Sequence, residues 1–403
     1  MKIKIILVHN SYQQPGGEDV VFDQERQLLE RAGHQVVAYR RSNHEIEELS
    51  AVGRLALVKQ TVWATDTRQE LSRLLRQEKP QLVHVHNTFL MVSPSIYSAC
   101  REAGVPVVQT LHNYRLLCPA ANLFRDGRVC EECIEHSLWR SVRYACYRES
   151  RMATATSALM LAAHRRLGTW TTMVDSYIAT TEFARRKFVA AGFPPHKMRV
   201  KPNFVASDPG LKEAEGEYAL FVGRLSPEKG LKTLLAAWEQ LHSPRPLLVV
   251  GDGPMRAELE SAAAGCGLSN VHFRGRVNRA EATLAMKKAR FLVVPSECYE
   301  NFPMAIAEAF ACGTPVVCSR LGAMQEIVTD GLTGLHFSPG DPGDLAAKAE
   351  WAWAHTKHME QMGRQARQEY EARYTAQKNY SVLMDIYRST LASRGGAREQ
   401  AIA

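Results

Sequence analysis

The chain reads as an α/β protein of two doubly wound domains, each built on a parallel sheet. Three observations lead there. Its 403 residues exceed what one ordinary core accommodates. Short β-branched runs alternate with stretches of helical periodicity, the pattern of parallel strands covered on both faces. That alternation runs once through the first half, pauses in a polar stretch over 202–216 that carries Pro202, Asn203, Pro209 and Gly210, and then starts again.

In the first series, residues 3–9 form a buried strand, and 18–32 a helix with Val21, Leu28 and Leu29 among its apolar positions and Gly33 as its stop. Residues 35–39, 82–86, 105–110 and 176–180 are further strands. The second series has strands at 218–222, 247–250, 271–274, 291–294 and 315–318, with helices at 231–241 and 255–264. The expected domains are 1–205, with a cysteine-containing insertion at about 113–170, then 206–375, then a terminal helix over 376–403 whose last residues, 393–403, read as frayed.

Composition narrows the class. Hydrophobic residues make up 45% and charged residues 23%, the balance of a globular protein in water. No apolar run approaches the roughly 18 residues of a membrane-spanning helix. The N-terminal apolar run is too short for a signal peptide and has no small-residue cleavage site, so a cytoplasmic location is expected. The net charge of +8 is uneven: residues 1–205 carry 28 Lys and Arg against 19 Asp and Glu, the remainder 22 against 23. A basic first half suits an anionic partner such as membrane lipid, a phosphate-bearing acceptor or nucleic acid, and suits equally a merely well-solvated surface.

The most informative stretch runs from Pro295 to Val317. It reads strand end, loop, helix, glycine stop, strand, and open α/β sheets bind ligands at the carboxyl ends of their strands. Glu300 falls in the loop, and Pro303 suits the first turn of the helix. The helix start, with its unpaired N–H groups, suits a diphosphate. Glu308, in the helix, has the carboxylate to accept two bonds from a ribose diol. The plainer alternative makes both glutamates solvated helix-end residues. A second element, Gly223-Arg224-Leu225-Ser226-Pro227-Glu228-Lys229-Gly230, places two cations at another strand end. Fixed cations there would stabilise the charge that develops on a departing nucleoside diphosphate. No Asp-x-Asp occurs in the sequence, so the usual carboxylate pair for a diphosphate-bound divalent ion is missing. Gly251-Asp252-Gly253-Pro254 lacks the third glycine of the dinucleotide fingerprint and reads as a tight structural turn.

The order of motifs resembles a known family. Gly16-Gly17 follows the first strand, and Thr110-Leu111-His112 follows a later one. Then come Gly223-Arg224-Leu225 with Lys229-Gly230, Gly251-Asp252-Gly253-Pro254, and Glu300 and Glu308 ahead of Ala311-Cys312-Gly313-Thr314-Pro315. This is similar to family 4 of the retaining glycosyltransferases, with the GT-B fold of two Rossmann-like domains facing each other across a cleft. The resemblance covers most of the chain and is most specific over 219–335. It implies a hexosyltransferase, metal-independent at the catalytic site, that moves a sugar from a UDP- or GDP-linked donor to a glycan or lipid-linked acceptor with retention, as in bacterial surface-polysaccharide or glycolipid assembly. Arg224 and Lys229 would grip the diphosphate, Glu308 the ribose and Glu300 the transferred sugar. The amides of Asn301 and Phe302 would meet sugar or phosphate, and Val277 would lie near the base. Gly16 and Gly17 would let backbone approach phosphate, and His112 would lie beside the donor sugar, assisting by hydrogen bonding and orientation. The final helices would return to the N-terminal domain. Two departures stand out: Pro303 cannot donate an N–H where the family often has glycine, and Glu18 and Asp19 put two acids beside a phosphate site, where they are expected to point away or cap the helix.

Two further features fall in the insertion. Cys118, Cys130, Cys133 and Cys146 fit a Cys₄ structural zinc site, with redox-sensitive thiols or chance as alternatives. Arg140, Arg143, Arg148, Arg151, Arg165 and Arg166 surround a helix-prone segment at 152–167, which is either a basic amphipathic surface helix for an anionic membrane or a core helix with solvated ends. Three other functions remain as competitors: another sugar-nucleotide enzyme of the same fold, such as an epimerase; an NAD-dependent oxidoreductase, against which the incomplete fingerprint argues; and a nucleic-acid-binding protein. The last is not expected, because aromatics are sparse around the arginines and no recognised motif appears.

Overall fold

The computed structural model describes residues 2–13, 16–47 and 51–402. They fall into two compact units. One comprises the described residues of 1–122, 131–202 and 379–403, and the other residues 123–130 and 203–378.

The N-terminal unit is a six-stranded sheet, parallel throughout. Its strands are β1 (Lys4–Ser11), β2 (Gln35–Ser42), β3 (Leu82–Val85) and β4 (Val107–Leu111), and, beyond a two-stranded hairpin of β5 (Phe124–Arg125) and β6 (Arg128–Val129) that belongs to the other unit, β7 (Ser176–Ala179) and β8 (Met198–Val200). The spatial order is β2-β1-β3-β4-β7-β8. Chain direction along the sheet reverses between β1 and β3, where open sheets form ligand crevices. Ile3, Ile5, Leu7, Leu82, Val108 and Ile178 pack with Phe22 and Leu29 of the first helix, Gly17–Arg31. The last helix, Ala376–Ile402, seals this layer with Leu383, Met384, Ile386 and Tyr387. It continues through the residues expected to fray, anchored by Ser176 to Thr390 and by Asp175 to Arg394.

The C-terminal unit repeats the plan with β9 (Tyr218–Val222), β10 (Leu247–Val250), β11 (Val271–Gly275), β12 (Ala289–Val294), β13 (Val316–Ser319) and β14 (Gly334–Phe337). All are parallel, in the order β11-β10-β9-β12-β13-β14. Counted within the unit this is 3-2-1-4-5-6, the nucleotide-binding order, with its switch point between β9 and β12. One face buries Phe221, Leu234, Trp238, Val249 and Phe291, and the other Leu220, Leu292, Ile306, Phe310 and Tyr374. Alternation of Leu220 and Phe221 between the two cores is the period-two signature of a strand covered on both sides.

Candidate functional site

In the C-terminal unit the switch point brings together two of the residues that the sequence singled out, Lys229 and Glu300. Gly223 follows β9, and its N–H donates to the Val250 carbonyl (3.0 Å). The Leu225 N–H donates to the Asp252 carbonyl (3.0 Å), tying the loop after β9 to the turn after β10. Gly251 (φ +145°) is required here, because a Cβ would overlap the Gly223 carbonyl. The Gly251–Pro254 segment is thus a packing turn. Pro227–Lys229 forms a 3₁₀ turn, and the Glu297 N–H reaches back to the Glu228 carbonyl (2.9 Å), joining it to the loop after β12. Gly230 closes that turn at φ +68°, where a Cβ would strike the Pro295 carbonyl oxygen.

This backbone frame delivers Lys229 to Glu300. Lys229 Nζ donates to Glu300 Oε1 at 2.6 Å, and Ser296 Oγ donates to the same oxygen at 2.6 Å. Desolvation disfavours both charges, yet each holds the other ionised: the Lys229 ammonium keeps Glu300 below the ordinary carboxylate range, and the Glu300 charge keeps Lys229 above the ordinary amine range. Arg224 stands exposed on the same loop. Asn301 and Phe302 are buried, Phe302 edge-to-face with Tyr374 at 5.7 Å, so the side chain of Phe302 belongs to the core. Pro303 is the N-cap of the helix Met304–Ala311, one residue earlier than the first-turn position expected of it. Glu308 is half-buried, and desolvation raises its pKa against the opposing pull of Arg279. Val277 is half-buried and packs on the core, just before the Asn278–Glu281 capping box.

The N-terminal unit presents its own cluster at the carboxyl ends of β1, β3 and β4. Gly16 is the N-cap of the first helix, with its N–H donating to Asp19 Oδ2 (2.8 Å). A Cβ on Gly17 would meet nothing within 4 Å, so internal packing does not demand glycine there. Asp19 caps the helix as expected and also binds His9 Nε2 (2.9 Å). Glu18 does neither of the things expected of it. It takes hydrogen bonds from Asn87 Nδ2 (3.3 Å) and Asn113 Nδ2 (3.1 Å), and desolvation raises its carboxyl to about 7. His112, just past β4, meets the ring of His86, with Nε2 2.9 Å from His86 Nδ1. Beneath them, Lys201 and Glu25 form an ion pair (2.9 Å) with side chains only 1% and 0% exposed.

Sequence reasoning missed Glu18, Glu25, His84, His86, Lys201 and Ser296. One signal was available: His84 and His86 lie two apart in and just past a fully buried strand, so they share a face with no water to solvate them. In the insertion, Cys118 and Cys133 are buried, and Cys130 and Cys146 half-buried. The arginine-flanked segment is the helix Arg151–Arg166. It buries Ser157, Ala158, Met160 and Leu161 and exposes Met152 and Leu159, and the exposed Arg165 donates to the Leu116 carbonyl (3.1 Å).

Comparison with known proteins finds two family models along the chain. Residues 15–208 match the model of Glycosyltransferase Family 4, and residues 206–369 that of Glycosyl transferases group 1. The chain is 35% identical over 161 residues to the D-rhamnosyltransferase WbpZ of Pseudomonas aeruginosa, an alignment covering 40% of this chain and 42% of that one. It is 28% identical over 331 residues to a glycogen synthase of Mycobacterium tuberculosis, covering 80% and 72%. Among solved structures, Anabaena Alr3699/HepE, determined with UDP and with UDP-glucose, superposes with a TM-score of 0.68 in the UDP complex at 19% identity, over 96% of this chain and all of that one. The fold is accordingly GT-B. With its two halves matched in succession over residues 15–369, the chain belongs to the group 1 glycosyltransferases.

Proposed function

We propose that this protein is a retaining, family 4 glycosyltransferase that moves a hexose from a UDP- or GDP-linked donor to a hydroxyl of a glycan or lipid-linked acceptor in bacterial surface-polysaccharide or glycolipid assembly. The observation that carries the reading is the Lys229–Glu300 pair held at the β9/β12 switch point with Arg224 on the same loop. HepE, which shares the fold, was determined with a UDP-sugar, and WbpZ transfers a sugar, which supports the donor class.

In this mechanism Arg224, Lys229 and the start of the Met304–Ala311 helix take up the charge of the departing nucleoside diphosphate, so no metal is needed at the reacting centre. The acceptor oxygen bonds the anomeric carbon on the face the phosphate leaves, the anomeric carbon–phosphate oxygen bond breaks, and the acceptor's proton passes to the leaving phosphate oxygen. Glu300 accepts hydrogen bonds from the sugar hydroxyls and keeps Lys229 in place. Glu308 holds the ribose, Val277 lies against the base, the Asn301 and Phe302 amides meet sugar or phosphate, and Gly16 and Gly17 leave room for phosphate. His112 contacts the donor sugar. The Arg151–Arg166 helix, with Met152 outward beside Arg140, Arg143 and Arg151, rests on an anionic inner-leaflet surface. Residues 124–143 of the insertion hold only two-residue strands and helices of four and five residues, little to sustain a core of their own, and Cys118, Cys130, Cys133 and Cys146 hold a structural zinc there.

The test is binding and turnover with a panel of UDP-, GDP- and ADP-sugars. One donor class should bind and be turned over. Lys229→Ala and Glu308→Ala should each lower kcat/KM by about 10²–10³ with an unchanged melting profile. Wild-type turnover in both variants would overturn the site assignment.

A further inference from the structure

Glu25, His84 and His86 place one ligand-type atom each within 4.8 Å of one another, the geometry of a metal site. Lys201 rules that use out: its ammonium sits 2.9 Å from Glu25 Oε2 and also meets Asn379 Oδ1 (3.3 Å), so the positive charge this carboxylate needs is already built in. A divalent ion would be placed against a buried cation that cannot leave. The cluster has another consequence, which follows from counting protons.

Glu25 is ionised. Burial works against its charge, but Lys201 and the two histidines hold it well below the usual carboxylate range. Its Oε1 lies 3.1 Å from His84 Nδ1 and 3.4 Å from His86 Nε2, ion-pair distances at which neither ring nitrogen is aligned for a hydrogen bond to it. A buried carboxylate oxygen accepts only, so an unprotonated His86 Nε2 would set lone pair against lone pair. His86 therefore carries its proton on Nε2. With burial and the neighbouring His84 pushing its pKa down to about 3, it carries no second one. Its Nδ1 is then an acceptor, and the atom 2.9 Å away, His112 Nε2, must be the donor. That fixes the opposite edge of His112, the half-exposed edge at the end of β4.

We propose that Glu25 and His86 are positioning residues that lock His112 as its neutral Nε2–H tautomer, so that Nδ1 offers a lone pair and His112 serves as a hydrogen-bond acceptor towards a ligand hydroxyl. The inference rests on the transferase reading only for the identity of that ligand: a sugar or acceptor O–H donates to His112, and His112 donates nothing to it. Desolvation, His86, His9 and Lys201 all oppose protonation of His112, while Glu25 alone favours it, so the neutral form persists well below the ordinary histidine range.

The experiment is two-bond proton–nitrogen correlation spectroscopy of the full chain labelled with ¹⁵N-histidine, the His112 signals being assigned by their loss in His112→Asn. His112 should show a protonated Nε2 and a bare Nδ1, unchanged between about pH 5 and pH 8, across which a free histidine titrates. A protonated Nδ1, or a cationic ring at pH 7, overturns the proposal. In His86→Phe, His112 should become a mixture of tautomers and kcat should fall about tenfold, the scale of one misdirected hydrogen bond, with a smaller change in donor KM. An unaltered His112 spectrum in that variant also overturns it. Should His86→Phe fail to fold, the wild-type spectrum decides alone. The spectrum needs no substrate, so a correct tautomer in a protein that turns over no nucleotide sugar would sink the transferase reading and leave the positioning role standing.

Discussion

Replacing Lys201 by Met tests how the N-terminal cluster is held together. At an effective dielectric near 20, charges 2.9 Å apart attract by about 6 kcal/mol, an upper bound before desolvation is counted. Removing one member of such a buried pair costs about 3–5 kcal/mol. Because both side chains are at most 1% exposed, no solvent discount applies. The sign of the pH dependence is the sharper readout. In the wild type the folded pKa of Glu25 is depressed, so its contribution is complete above the unfolded glutamate range and fades as pH falls through the folded value. In Lys201→Met the missing charge is replaced by a proton, on Glu25 or on the adjacent histidines. The folded state then binds protons more tightly than the unfolded one, and the variant loses stability as pH rises. The gap from wild type should be largest near neutrality and shrink towards about pH 5. Urea unfolding at the two pH values measures it, with hydrogen exchange of β1 and β3 amides reporting this unit separately. Lys201→Met/Glu25→Leu, which leaves no unpaired charge, should recover most of the loss. A single variant that loses less than about 1 kcal/mol, with the pH dependence of wild type, would refute the reasoning.

Two other outcomes are expected. Gly230→Ala should destabilise the C-terminal unit by at least about 2 kcal/mol, since it combines a left-handed backbone with an overlap on the Pro295 carbonyl, and should weaken nucleotide-sugar binding by displacing Lys229; melting curves and titration calorimetry check both. Purified protein should contain close to one zinc per chain, and Cys130→Ser should abolish it; metal content well below one per chain would contradict the zinc assignment.

How far the sequence alone reached follows from the kind of signal each part carries. Ten of the twelve described strands of the two parallel sheets were legible because they are short apolar runs next to helices that end at glycines such as Gly33; the edge strands β8 and β14 were not named. The β9-to-Gly230 segment and the segment from Pro295 to Pro315 were legible because each is contiguous: strand, loop and helix follow one another, so the ligand-facing loop identifies itself. Glu300 and Lys229, 71 residues apart, were named separately; their 2.6 Å contact depends on β9 lying beside β12, which periodicity does not fix. The N-terminal cluster was illegible for the same reason carried further. Glu25 comes from a helix, His86 from a strand end and Lys201 from beyond β8, and nothing local marks Glu25 as buried, because an amphipathic helix tolerates a glutamate at most positions. Glu18 was expected to point away from the site or cap the helix because it stands next to Asp19 at a helix start; only the long-range arrival of Asn87 and Asn113 turns it elsewhere.

The most direct measurement is a crystal structure of this chain soaked with the nucleotide sugar that the panel selects. The diphosphate should lie at the β9/β12 switch point within hydrogen-bonding distance of the side chains of Arg224 and Lys229, with the ribose on Glu308. A nucleotide bound elsewhere, with Lys229 still committed to Glu300 alone and Arg224 in solvent, would contradict the assignment of the two cations as the groups that carry the leaving group's charge.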